Sequence, residues 1–365
     1  MSPPQQRALQ IDAFKFVASQ FIVLHHLIAY GPISDAVTLL APQFMAWLFD
    51  HSRMAVQVFL VLGGYLAAKA LSPQAQGWRG SILTTLLARY RRLVLPYLLA
   101  LLLAIVCAAL ARTWLNDPFI PAAPNGFQLL AHALLLQTVL GQDSLSAGVW
   151  YIAIDFQLFA LMTLLLWLGQ NIKPAGRGAR STATAPGLVL LLMLASLFYF
   201  NTNARWDSWG LYFFGAYGLG AAAYWIGCVS RPGFFFGLLA VTGSLSLLHD
   251  FRERLLLALA VALVLAWFRW KPLTPALATA PSSGPTRVLS WLGEISYSLF
   301  LLHFPVLLLG NALYAQSGWI GPLPASLFLI LSWAVSLLLA ALFQRWVEAP
   351  LHRLLAVPAR QASRP

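Results

Sequence analysis

The residues best suited to chemistry sit where charge is least welcome. Residues 11–27 read IDAFKFVASQFIVLHHL, an apolar stretch that carries Asp12, Lys15, His25 and His26. An ionisable group within a membrane span costs at least a few kcal/mol and usually marks function. At about 100° per residue, Lys15 and His26 lie about 20° apart around a helix, with Asp12 and Ser19 on the same side. His25 is turned about 80° from Lys15 and reads as structural. Along the axis Lys15 and His26 are about 16 Å apart. The imidazole of His26 can serve as general base to a hydroxyl or carry an acyl group transiently. Lys15 can pair with Asp12 and reach toward the interface along its aliphatic stem.

Three further sets of polar residues interrupt apolar runs. Arg89, Arg91 and Arg92, in LLARYRRLVLP, precede the third apolar run. Guanidinium forks bind phosphate bidentately, so this cluster suits a multiply phosphorylated ligand; the plainer role is a basic anchor at the membrane edge. Trp150 and Asp155 open the segment WYIAIDFQLF, and Asp155 can orient a histidine or pair with a cation such as Arg53. The segment GEISYSLFLLHFP carries Ser296, Tyr297 and His303, and Glu348 stands before Pro350 near the end. Cys107 and Cys228 both lie in apolar segments without metal-ligand spacing, and no metal site is expected.

The elements that must position these groups are membrane helices. Of 365 residues, 60% are hydrophobic and only 9% charged, with mean hydropathy +0.74. Soluble domains carry about 25% charge. Window hydropathy places about ten spans near 12–30, 54–71, 92–112, 148–169, 186–200, 209–228, 232–248, 253–270, 291–313 and 325–346. The expected fold is therefore an all-α polytopic helix bundle. The stretch 127–140 is amphipathic and is expected at the interface or as a re-entrant segment. With the N-terminus inside, seventeen Lys and Arg fall in inside segments and five in outside segments, with Lys15 in the first span. That bias predicts cytoplasmic N- and C-termini and an even number of spans. The net charge of +12 is spread over short loops, which argues against a nucleic-acid partner.

Taken together, these segments resemble the acyltransferase 3 family of membrane acyltransferases. Lys15 and His26 match its basic residue, ten residues, then histidine, with Asp12 in the usual acidic place. VFLVLGGYLAAKAL is similar to its second signature, with Gly63 in place of a serine and Tyr65 in place of a phenylalanine. RYRRLVLP, Trp150 with Asp155, ISYSLFLLHFP, and Glu348 with Pro350 follow in the family's order. The resemblance implies a membrane acyltransferase domain over 1–350, with a short basic tail over 351–365. It implies acyl-CoA as donor substrate, most often acetyl-CoA, and an envelope glycan or glycolipid hydroxyl as acceptor, in the bacterial cytoplasmic membrane. It implies His26 and Asp155 as catalytic residues. Lys15, Arg89, Arg91 and Arg92 would hold the donor, and Asp12, Arg53, Trp150, Ser296, Tyr297, His303 and Glu348 would be further polar groups of the interior. A proton-coupled transporter or flippase using Lys15, His26 and Asp155 is the alternative, but the chain shows no similar halves and no matched broken helices.

Overall fold

Every predicted span is largely helical, and the helices over the first and third spans run well beyond their apolar cores. The computed structural model describes residues 3–172, 184–271 and 284–355, among which there is no strand. The helices are α1 (Pro3–Ala29), α2 (Gly31–Thr38), α3 (Pro42–Ser52), α4 (Val56–Leu71), α5 (Ile82–Trp114), α6 (Gly126–Ala133), α7 (Trp150–Asn171) and α8 (Thr184–Phe198). They continue as α9 (Gly210–Trp225), α10 (Pro232–His249), α11 (Glu253–Trp270), α12 (Gly284–Glu294), α13 (Ser296–Gln316), α14 (Pro322–Phe343) and α15 (Ala349–Leu355). Eight helical stretches of the described residues are long and apolar enough to span a membrane. The two predicted spans outside that group are also helical. α9 has only 16 residues, and α11 carries Glu253, Arg254 and Arg269 within its 18. Lys173, Arg177, Arg180, Arg360 and Arg364, used in the charge count, lie outside the described residues, as does most of the basic tail.

Two expectations are corrected. The arginine cluster does not precede its helix, because α5 begins at Ile82 and carries Arg89, Arg91 and Arg92 in its own first turns. No breaker separates Ser81 from Pro96, so the helix starts well before the apolar run does. Cys228 does not lie inside a helix: it is exposed in a 3-10 turn beyond α9, whereas Cys107 is buried.

The chain forms two compact units, each assembled from separated segments. The first holds residues up to Ala18, Arg53–Leu83 and Tyr151–Gly293. Its centre is α9, in which nearly every residue is buried. A helix apolar on all sides belongs inside a bundle. Glycines permit the close crossings: a Cβ at Gly64 of α4 would overlap the Tyr217 carbonyl oxygen, and one at Gly220 of α9 would overlap that of Val61. Small residues bring membrane helices into this kind of backbone contact, where packing replaces the hydrophobic drive that lipid removes.

The second unit holds Ser19–Ser52, Thr84–Trp150 and Glu294–Pro365. Its core joins Val23 and Leu27 of α1, Cys107, Ala108 and Ala111 of α5, Leu299, Phe304 and Leu308 of α13, and Ala340 of α14. Asn311 of α13 is buried there and accepts from the Ile33 amide at 3.0 Å, tying the start of α2 to α13. Gly31 precedes it at φ +82°, with Asn311 where a side chain would stand.

Candidate active site

The second unit brings His26 and His303 together across 277 residues of sequence. Nε2 of His303 and Nδ1 of His26 are 2.8 Å apart, and the rings stack at 4.8 Å. His303 is fully buried and His26 nearly so. Nδ1 of His303 lies 3.1 Å from the Leu299 carbonyl oxygen, one turn back on α13. A carbonyl only accepts, so in neutral His303 the proton sits on Nδ1 and Nε2 carries the lone pair. That lone pair accepts the Nδ1 proton of His26. Nε2 of His26 is then left with its own lone pair, the form a general base or nucleophile requires. One backbone oxygen thereby sets the tautomers of two rings.

The surroundings of His26 are apolar and close. Tyr30 stacks on it at 6.0 Å. Gly148 stands at φ +80°, and a Cβ there would lie 3.4 Å from Cε1 of His26 and 3.0 Å from the Phe300 ring. The segment before Trp150 can approach the imidazole because this residue has no side chain. Its path is fixed by Gln137, which donates to the Val149 carbonyl at 3.4 Å, and by His132, whose Nε2 accepts from the Leu145 amide at 3.3 Å. His25 points elsewhere as the wheel predicts, with Nδ1 2.9 Å from the Phe49 carbonyl oxygen.

A second cluster in the same unit gathers the other motifs. Pro96 has no N–H for the Arg92 carbonyl, and its ring disturbs the turn before it. The Arg92 carbonyl is bonded instead by the His352 ring, and the next carbonyl, that of Leu93, accepts from the Tyr297 hydroxyl at 2.9 Å. A similar device shapes the end of the chain. Pro350 would break the helical ladder, and residues Gln344–Glu348 adopt a π turn just before it. Glu348, the last residue of that turn, is buried. It accepts from the Ser298 hydroxyl at 2.6 Å, stands 4.0 Å from His352, and is the acidic neighbour of Arg92. Arg91 and Arg92 remain exposed and Arg89 is half-buried.

Trp150 and the buried Ser296 also belong to the second unit, whereas the first carries Lys15, Asp12, Asp155 and Arg53. Lys15 pairs with Asp12 at 3.9 Å, both only partly exposed. Asp12 is also bonded by Ser290 and backed by Gly293, where a Cβ would crowd it. Asp155 is buried on α7. Gly63 of α4 faces it, since a Cβ there would lie 3.6 Å from the Asp155 carboxylate and 3.1 Å from the Tyr217 ring. Arg53 is exposed in the 3-10 turn that leads into α4.

A family model described as an acyltransferase domain matches residues 9–343. The chain belongs to the acyltransferase 3 family. It is thus a multi-pass membrane protein of a family of acyl-transferring enzymes. It is also similar to the "Regulator of hypoxia-inducible factor 1" of Caenorhabditis elegans. The two are 23% identical over 406 aligned positions, covering 94% of this chain and 79% of that protein. No solved structure matches the chain.

Within the second unit, His26 is brought to His303, and Glu348 is brought to Ser298 and Arg92. Asp155 is expected to orient a histidine or pair with a cation; the group that meets Nδ1 of His26 within the second unit is His303. Ser298, His352 and Gly148 went unremarked. Ser298 was legible as the second serine of ISYS, and His352 as one turn beyond Glu348. Gly148 carried no signal beyond its place just before Trp150.

Proposed function

We propose that the protein transfers an acyl group, most simply acetyl, from cytosolic acyl-CoA to a hydroxyl of an envelope carbohydrate, in the cytoplasmic membrane of a bacterium. The observation that supports it most is the ordered pair His26–His303, which leaves Nε2 of His26 unprotonated. In the proposed step the acceptor O–H gives its proton to His26 Nε2 as its oxygen attacks the thioester carbonyl. The tetrahedral intermediate collapses, the C–S bond breaks, and the same proton passes to the leaving thiolate. The imidazolium formed meanwhile donates its Nδ1–H to His303, which stabilises the charge in a site that excludes water. Arg89, Arg91 and Arg92 take the donor's phosphates, with Glu348 holding Arg92 and the Pro96 turn in place. Lys15, steadied by Asp12, adds positive charge to the cytoplasmic side. The resemblance alone brings Asp155 into the reaction, as an acid that stabilises the imidazolium.

The test is acyl transfer from labelled acetyl-CoA by purified protein in vesicles containing envelope glycolipid. His26→Ala is expected to abolish transfer, and full activity in that variant would sink the assignment. A covalent acyl-histidine route predicts labelled protein when the acceptor is withheld, whereas the base route predicts none. Asp155→Asn is expected to lower kcat with little change in donor KM.

A further inference from the structure

The first unit contains a cavity of about 540 Å³ that none of the chemistry above uses. It lies between the loop that leaves α4 and the last turns of α7, lined among others by Gln76, Trp78, Arg79 and Gln170. That size falls within the range of small-molecule sites, about 300–1,000 Å³. Beside apolar Leu71, Pro73 and Ile172, the lining offers a flat indole, a guanidinium and two carboxamides.

Loops leaving a helix are ordinarily loose, yet this one is tied at several points. The Ser72 hydroxyl donates to the Gln76 carbonyl, and the Trp225 indole N–H donates to the Ser72 carbonyl at 2.9 Å. The Trp78 amide reaches the Leu166 carbonyl of α7 at 3.4 Å. Ala75 is held at φ +52°, a left-handed conformation that a residue with a Cβ seldom adopts. Two glycines permit the packing: Gly77 lies against the Gln170 side chain, and Gly80 against the Trp78 indole. Among the described residues Arg79 is exposed and paired with no carboxylate. The cavity thus presents an exposed guanidinium beside an indole whose loop is held in place.

We infer that this cavity binds an adenine nucleotide, with Trp78 stacking on the base, Gln76 and Gln170 meeting its polar edge, and Arg79 pairing with a phosphate. Purine rings stack on aromatic side chains, and Arg supplies a planar fork to phosphate. Arg79 also lies on a segment that the charge distribution places on the cytoplasmic side, where a nucleotide is available.

The experiment is calorimetric binding of adenosine 3′,5′-bisphosphate to the full-length detergent-solubilised protein, run beside the acetyl-transfer assay. Trp78→Ala and Arg79→Gln are each expected to raise Kd at least tenfold while melting temperature stays at the wild-type value. His26→Ala is expected to bind the nucleotide as wild type does. Equal affinity in wild type and both cavity variants would overturn the inference, and so would no binding to wild type with phosphatidylglycerol retained instead at Arg79. Either result leaves acyl transfer by the wild type standing. Conversely, nucleotide binding that depends on Trp78 and Arg79, with no acetyl transfer by wild type, would keep the site and defeat the proposed reaction.

Discussion

At the scale of single residues, the chemistry turns on a proton's position. The Leu299 carbonyl sets the tautomer of His303, and His303 sets that of His26. His303→Leu removes the acceptor for the Nδ1 proton, and kcat for acyl transfer is expected to fall about 10²-fold, the lower range for lost acid–base assistance. His303→Gln offers an amide oxygen to the same proton and is expected to recover part of that rate, which a purely steric role for His303 would not predict. His132, in the short helix α6 outside the spans, acts on stability instead. Burial pushes its pKa below the ordinary histidine value, and its Nε2 accepts from the Leu145 amide. The unfolded chain therefore takes up a proton near pH 6.5 while the folded protein stays neutral there. Its contribution is fully present above about pH 6.5 and is lost as pH falls through the lower folded value. Melting temperature measured from pH 8 to pH 5 is expected to drop at the acid end, and less steeply in His132→Gln.

At the scale of elements, glycines and prolines decide how helices meet. Gly63 and Gly64 are neighbours in α4 with different surroundings. A methyl at Gly64 would strike the backbone of α9, which cannot yield, whereas one at Gly63 meets the edge of the Tyr217 ring at 3.1 Å. Gly64→Ala is expected to lower stability by about 1–3 kcal/mol, the usual penalty of overpacking, and Gly63→Ala by clearly less. Thermal unfolding of the two variants in detergent compares them directly. The two prolines work in the opposite sense, by opening backbone groups or changing a helix's register. Pro96 bares the Arg92 carbonyl that His352 then bonds, and the π turn before Pro350 brings Glu348 inward to Ser298. Ser298→Ala leaves that buried carboxylate one donor short and is expected to cost about 1.5–3 kcal/mol, seen as a lowered melting temperature.

For the molecule as a whole, charge and apolarity set class and direction. The excess of Lys and Arg in alternate loops predicts that Cys228, exposed beyond α9, faces the cytoplasm. A membrane-impermeant maleimide is expected to label it in inverted vesicles and not in intact cells, while buried Cys107 stays unlabelled in both. Reaction of Cys228 from outside would reverse the orientation. The membrane class, the helices and the motif order were legible in the sequence, because a run of about 20 apolar residues has few other fates and backbone groups in lipid must bond within their own helix. The stripe of Asp12, Lys15 and His26 was legible too, since helical period alone places residues on a face. What that face meets was not. In lipid-facing helices nearly every side is apolar, so periodicity does not say which helix packs where or at what register. Only the tertiary structure placed His303 against His26 and Glu348 beside Ser298. It also showed the arginines to be part of α5, because continuity of the helical backbone, not the start of the apolar run, decides where a helix begins.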